Sequence, residues 1–164
     1  MRRVTVLVLL VVGVGVTAAP AGAAAPRPFT AGQGEKPTLT VDGAGTAWIA
    51  WNQKIDALTN KVVVCRVPAG GSSCAATTSL TPGENAYAPP RIFVTGPNQL
   101  ALISNRCCYT GPSRTQLYTS ADGGATWTAP VLAGSLEPSG DAILGPGNAI
   151  SVVTDTVTGA TNYQ

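Results

Sequence analysis

The chain has 164 residues, enough for one ordinary domain with a core. Ten Lys and Arg stand against eight Asp and Glu, a formal charge of +2 that is too small for a nucleic-acid surface. Histidine is absent, which excludes Ser-His-Asp triads, Cys-His dyads and H-E-x-x-H zinc sites, and leaves acid–base work to Asp, Glu, Tyr, Lys or Cys.

Residues 1–23 read as a signal peptide. Arg2 and Arg3 form a basic start, Val4 to Val16 is an apolar run, and Ala21-Gly22-Ala23 is a small-x-small cleavage pattern. The run is too short for an ordinary transmembrane helix. A retained membrane anchor is the alternative; the expectation is a secreted chain with no stable anchor after cleavage. Loss of Arg2 and Arg3 brings the balance to eight basic and eight acidic side chains. Residues 24–35 are rich in Ala, Pro and Gly and read as a linker.

From residue 36 onward a repeat emerges. Shifting the chain by 53 residues lays Pro37-x-Leu39-x-Val41-x-Gly43 on Pro90-x-Ile92-x-Val94-x-Gly96, Asn52 on Asn105, and Gly70-Gly71 on Gly123-Gly124. A third copy starts near Asp141, in a slightly shorter register. In the first unit, strands are expected at Thr38–Val41, Thr46–Trp51 and Lys61–Val67, with a fourth from Cys74. In the second they are expected at Arg91–Thr95, Gln99–Ser104, Thr115–Ser120 and Thr126–Leu132. The second strand of each unit is apolar at consecutive positions, as in Ala47-Trp48-Ile49-Ala50-Trp51 and Leu100-Ala101-Leu102-Ile103. Such strands are covered on both faces. No stretch of the mature chain carries a capped 3.6-residue stripe, so helix content should be very low.

The sharpest motif is Ser120-Ala121-Asp122-Gly123-Gly124-Ala125-Thr126-Trp127, which reads S-x-D-x-G-x-T-W. The Asp can accept turn amides, the glycines allow positive φ, and the Trp anchors the returning strand. Counting outward from the turn, Tyr118 faces Trp127 and, one repeat earlier, Cys65 faces Cys74. A Cys65–Cys74 disulfide is therefore expected where the second unit has Tyr and Trp; two free thiols are the alternative. Cys107 and Cys108 are adjacent and could pair in a strained ring or stay free. Without any C-x-x-C spacing, a four-cysteine zinc site is a poor fit, and no metal or other cofactor is expected.

S-x-D-x-G-x-T-W matches every fixed position of the Asp-box, and the region from about residue 36 to 164 resembles the sialidase-like, BNR-repeat β-propellers. The resemblance implies an all-β chain, a partial propeller of about two and a half four-stranded antiparallel blades at residues 36–88, 89–140 and 141–164. A closed propeller needs at least four blades, so the chain reads as an incomplete, truncated propeller. In this family the Asp-box is structural, which gives Ser120, Asp122, Gly124, Thr126 and Trp127 a turn-fixing role. A calcium loop would need further Asp or Asn ligands.

The family's ligand face lies at the opposite end of the blades. Asp56, Arg106, Tyr109 and Arg114 are the candidates there, because Arg can grip a carboxylate and Tyr can stack on a sugar or donate a hydrogen bond. Catalytic sialidases open the first blade with R-I-P; this chain has Glu35-Lys36-Pro37 there, and Arg91-Ile92-Phe93 in the second. The reading is a secreted binding protein for glycans, cell-surface glycoconjugates or another protein. The alternative is an exo-glycosidase of sialidase type, only part of whose active site lies in this chain.

Overall fold

A computed structural model describes residues 3–6, 28–81, 88–106, 114–134, 141–155 and 161–163. The chain is all-β. A two-stranded antiparallel ribbon pairs β1 (Arg3–Val6) with β2 (Phe29–Gln33). The first large sheet is the meander β3 (Glu35–Val41), β4 (Ala47–Lys54), β5 (Asn60–Val67) and β6 (Ala76–Leu80). The second repeats it with β7 (Arg91–Gly96), β8 (Gln99–Arg106), β9 (Arg114–Ser120) and β10 (Val131–Gly134). The third holds β11 (Ala142–Leu144), β12 (Ile150–Asp155) and β13 (Thr161–Tyr163). The one helical element among the described residues is a 3-10 turn, Pro146–Asn148.

The central strand β4 shows why consecutive apolar residues are needed. Its side chains alternate across the sheet, yet Ala47 to Asn52 are all buried. One face, with Trp48 and Ala50, joins Val62, Val64 and Leu80. It packs against Ile92, Leu100, Leu102 and Tyr118 of the second sheet. The other face, with Ala47, Ile49 and Trp51, joins Val63, Cys65 and Val67 and is covered by Phe29, Ala31 and Cys74. A sheet filled on both faces is what the unbroken hydrophobic run required.

Phe29 and Ala31 belong to a strand in the segment read as a linker. Gly32 and Gly34 make that strand possible. A Cβ on Gly32 would lie 2.6 Å from the Trp51 ring, and one on Gly34 would overlap both that ring and the Asn52 carbonyl oxygen. The chain can therefore lie flat on Trp51, whose indole N–H donates to the Gln33 carbonyl at 3.0 Å. Residues 3–6, within the segment expected as a signal peptide, pair with this strand.

The 53-residue register holds at atomic level. The Ala75 amide donates to the Arg66 carbonyl at 2.8 Å, and one repeat later the Thr128 amide donates to the Thr119 carbonyl at 2.9 Å. Cys65 and Cys74 form a disulfide, with Cα atoms 5.5 Å apart, as the symmetric count predicts. Their counterparts Tyr118 and Trp127 meet the same hydrophobic cluster. The last strand of the second sheet departs from expectation: it begins at Val131, not Thr126. Pro130 has no N–H to give a ladder.

Links between the sheets also repeat. Thr38 donates to the Pro90 carbonyl at 2.7 Å. Its counterpart Arg91 reaches Asp141 at 2.9 Å, a largely solvated pair worth about 0–1 kcal/mol. Asn148 donates to the Thr95 carbonyl at 2.6 Å.

Candidate functional site

The S-x-D-x-G-x-T-W motif forms the turn after β9. Ser120 donates to Asp122 Oδ1 at 2.8 Å and accepts the Gly124 amide at 2.9 Å. Asp122 accepts the Thr126 amide at 2.8 Å and the Thr126 hydroxyl at 2.6 Å. Gly123 and Gly124 have φ of 68° and 86°, a region that costs glycine little. All five motif residues lie in or against this one turn.

The turn also does something its motif does not announce: it fastens the second sheet to the first. Trp48 donates its indole N–H to the Gly123 carbonyl at 3.1 Å. Thr78 donates to the Gly124 carbonyl at 2.9 Å and accepts the Trp127 indole N–H at 3.3 Å. Trp48 and Thr78 were not singled out from the sequence, because their partners lie 75 and 46 residues away. The available signal was a Trp in a strand whose indole N–H must find an acceptor once buried.

Hydrogen bonds from the Thr126 hydroxyl and amide, then from Ser120, hold the Asp122 carboxyl down at about 2, from an ordinary 3.8. A depressed folded-state value means the aspartate's stabilisation is complete above the unfolded value and is lost as pH falls through the folded one. Wild-type stability should therefore decline between about pH 4 and pH 2. Asp122→Asn should show a shallower decline over the same window in pH-resolved urea melts. Parallel acid limbs would contradict this role.

At the opposite end of the sheets lie the β4–β5 and β8–β9 connections. Asp56 sits exposed in the first, accepting the Leu58 amide at 2.8 Å and the Thr59 amide at 2.7 Å. The Leu58 amide first, opposed by desolvation and then aided by Thr59, holds its carboxyl below the usual value. Arg106 and Arg114 are backbone partners at the end of the β8–β9 pair, so two of the candidate arginines are brought side by side in the ladder. Tyr109, Cys107 and Cys108 lie outside the described residues.

Just inside this end, two repeat-related asparagines grip one residue. The Asn52 side-chain amide donates to the Ala88 carbonyl at 2.9 Å, and Asn105 Oδ1 accepts the Ala88 amide at 3.1 Å. Both asparagines are buried. They pin Ala88 in the connection between the sheets.

A third feature lies on the outer flank. A wide, open groove of about 460 Å³ runs between β6 and the segment leaving that turn, lined by Thr78, Ser79, Leu80, Thr81, Tyr118 and residues 125–128. Burial pushes the Tyr118 hydroxyl up to about 12, so it stays protonated and donates to Gln116 Oε1 at 3.0 Å.

Among the described residues, no three His, Cys, Asp or Glu side chains gather where they could hold a metal ion. No helix among them is long and apolar enough to cross a membrane. The Cys65–Cys74 bond fits an oxidising compartment. Comparison with known family models, curated proteins and solved structures gave no match.

Proposed function

We propose that the protein is an exported, sialidase-like propeller chain that binds glycans or a protein partner through the loop end carrying Asp56, Arg106, Tyr109 and Arg114. It is read as a binding protein and not as a glycosidase. The observation that carries this reading is how four of the described aspartates are used. Asp42 accepts the Ala44 and Thr46 amides at 3.0 and 2.8 Å. Asp56 and Asp122 close their own turns. Asp141 pairs with Arg91 and accepts the Ala142 amide at 2.8 Å.

A glycosidase of the two-carboxylate kind needs two carboxyl groups flanking one bond, one of them protonated near neutrality, and one of sialidase type needs a Tyr nucleophile. Asp56 and Asp122 are shifted the other way, toward the permanently ionised form. Tyr118, with its hydroxyl pushed up to about 12, is also far from a nucleophilic phenolate.

The test is to assay the full chain on a fluorogenic sialoside and on a glycan array. The expected result is no turnover above the blank, with array binding that weakens in Arg114→Ala. Turnover would overturn the binding reading in favour of the hydrolase.

A further inference from the structure

We propose that the face of the first sheet beneath β2 is a docking surface for the third sheet of a second copy, so that the protein associates head to tail.

The repeat register identifies the face. Ala47, Ile49 and Cys65 of the first sheet fall 53 residues before Leu100, Leu102 and Tyr118 of the second. In the second sheet those three residues belong to the surface on which the first sheet sits. The equivalent surface of the first sheet therefore has the form of a sheet-receiving face, and β2 lies on it instead.

β2 fills that place only in part. Ile92 of β7 is 4 % exposed, and Val94 packs against the cluster shared by the two sheets. Their counterparts on β3 are Leu39 and Val41, which pair with Ile49 and Ala47 and so lie on the same face. Yet Leu39 and Val41 are 43 % and 47 % exposed. A single strand leaves bare what a neighbouring sheet covers one repeat later.

The other end of the stack offers the matching surface. Arg91 projects from β7 on the face opposite to Ile92 and pairs with Asp141 at the start of the third sheet. The second sheet therefore lies between the first and the third. Along β11 the buried Ala142 turns inward, and Ile143, 59 % exposed, turns outward.

Each end of the stack thus carries apolar side chains in water, and the contact already made inside the molecule shows what covers them. The outward face of one sheet packs on the receiving face of the next. Repeating that contact between copies is a heterologous interface, which extends head to tail. A formal charge of only +2 sets up little repulsion between copies. The incoming sheet needs the place of β2, so β2 gives way, and it acts as a strap that limits association.

The test follows the full oxidised chain by sedimentation velocity over a series of concentrations. The expected result is a wild type whose sedimentation coefficient rises with concentration. Leu39→Lys and Ile143→Lys should each weaken association about tenfold or more, because each places a charge in an apolar contact. Both positions are exposed, so near-UV circular dichroism should stay that of the wild type. Leu132→Lys makes the same change at an exposed position on β10, outside the contact, and should associate as the wild type does.

Mixed in equal amounts, Leu39→Lys and Ile143→Lys hold one intact receiving face and one intact outward face between them. They should pair one to one and grow no further. Gly32→Val should lift β2, since a Cβ there lies 2.6 Å from the Trp51 ring, and should tighten association. The proposal is overturned if the wild type stays monomeric throughout, or if Ile143→Lys associates like the wild type. It is also overturned if the mixture stays monomeric, or if Gly32→Val fails to tighten association.

Discussion

Trp48→Ala should lower the unfolding free energy by about 3–5 kcal/mol, the range for removing a large buried aromatic. Trp48 is 2 % exposed and sits where the two large sheets meet. Its ring packs in the shared cluster, while its indole N–H reaches the Gly123 carbonyl in the other sheet. Trp48→Phe separates the two contributions. Phe keeps much of the apolar contact but cannot donate, so it should cost less, about 1–2 kcal/mol from the lost bond and the stranded carbonyl. Urea unfolding at constant m-value gives both numbers. If Phe and Ala cost the same, the ring's packing contributes nothing beyond the hydrogen bond. If Phe is neutral, the indole bond contributes nothing.

Replacing both Cys65 and Cys74 with alanine should cost about 2–3 kcal/mol, the loop-closure contribution of a short bridge. The bridge spans nine residues in sequence, and Cys65 is fully buried against Ile49 and Trp51. Reducing the wild type should move its urea midpoint down toward that of the double variant. Reductant should do much less to the variant. A double variant as stable as the oxidised wild type would show that the bridge only decorates a turn already held by Gly71 and Pro68, whose amide and carbonyl meet at 2.8 Å.

Much of the first two sheets was legible because the repeat supplied two independent readings of each strand. The disulfide followed from a count about the turn centre, and the conserved offset of the Arg66–Ala75 and Thr119–Thr128 hydrogen bonds explains why that count works. Strand β2 was not legible. Thr30-Ala31-Gly32-Gln33-Gly34 has little intrinsic strand preference; what extends it is the flat face of Trp51, whose partner lies 18 residues away. The late start of β10 was missed for the opposite reason: a strong local signal, Trp127, was followed too far, past Pro130. At the candidate site, the spacing of Ser120, Asp122, Gly124 and Thr126 announced the bonds inside the turn. Its grip on Trp48 and Thr78, and the groove this creates, depend on how two sheets meet. A linear pattern of residue types carries no record of that.

The Ala88 clasp bears on how such a chain can lengthen. Asn52 spends the donor end of its amide on the link that follows its sheet, and Asn105 spends the acceptor end on the link that precedes its own. Each repeat therefore carries a residue type able to hold either side of a junction. Copying the 53-residue unit in tandem would copy the fastening along with the sheet. The joint would need no new sequence to be invented for it.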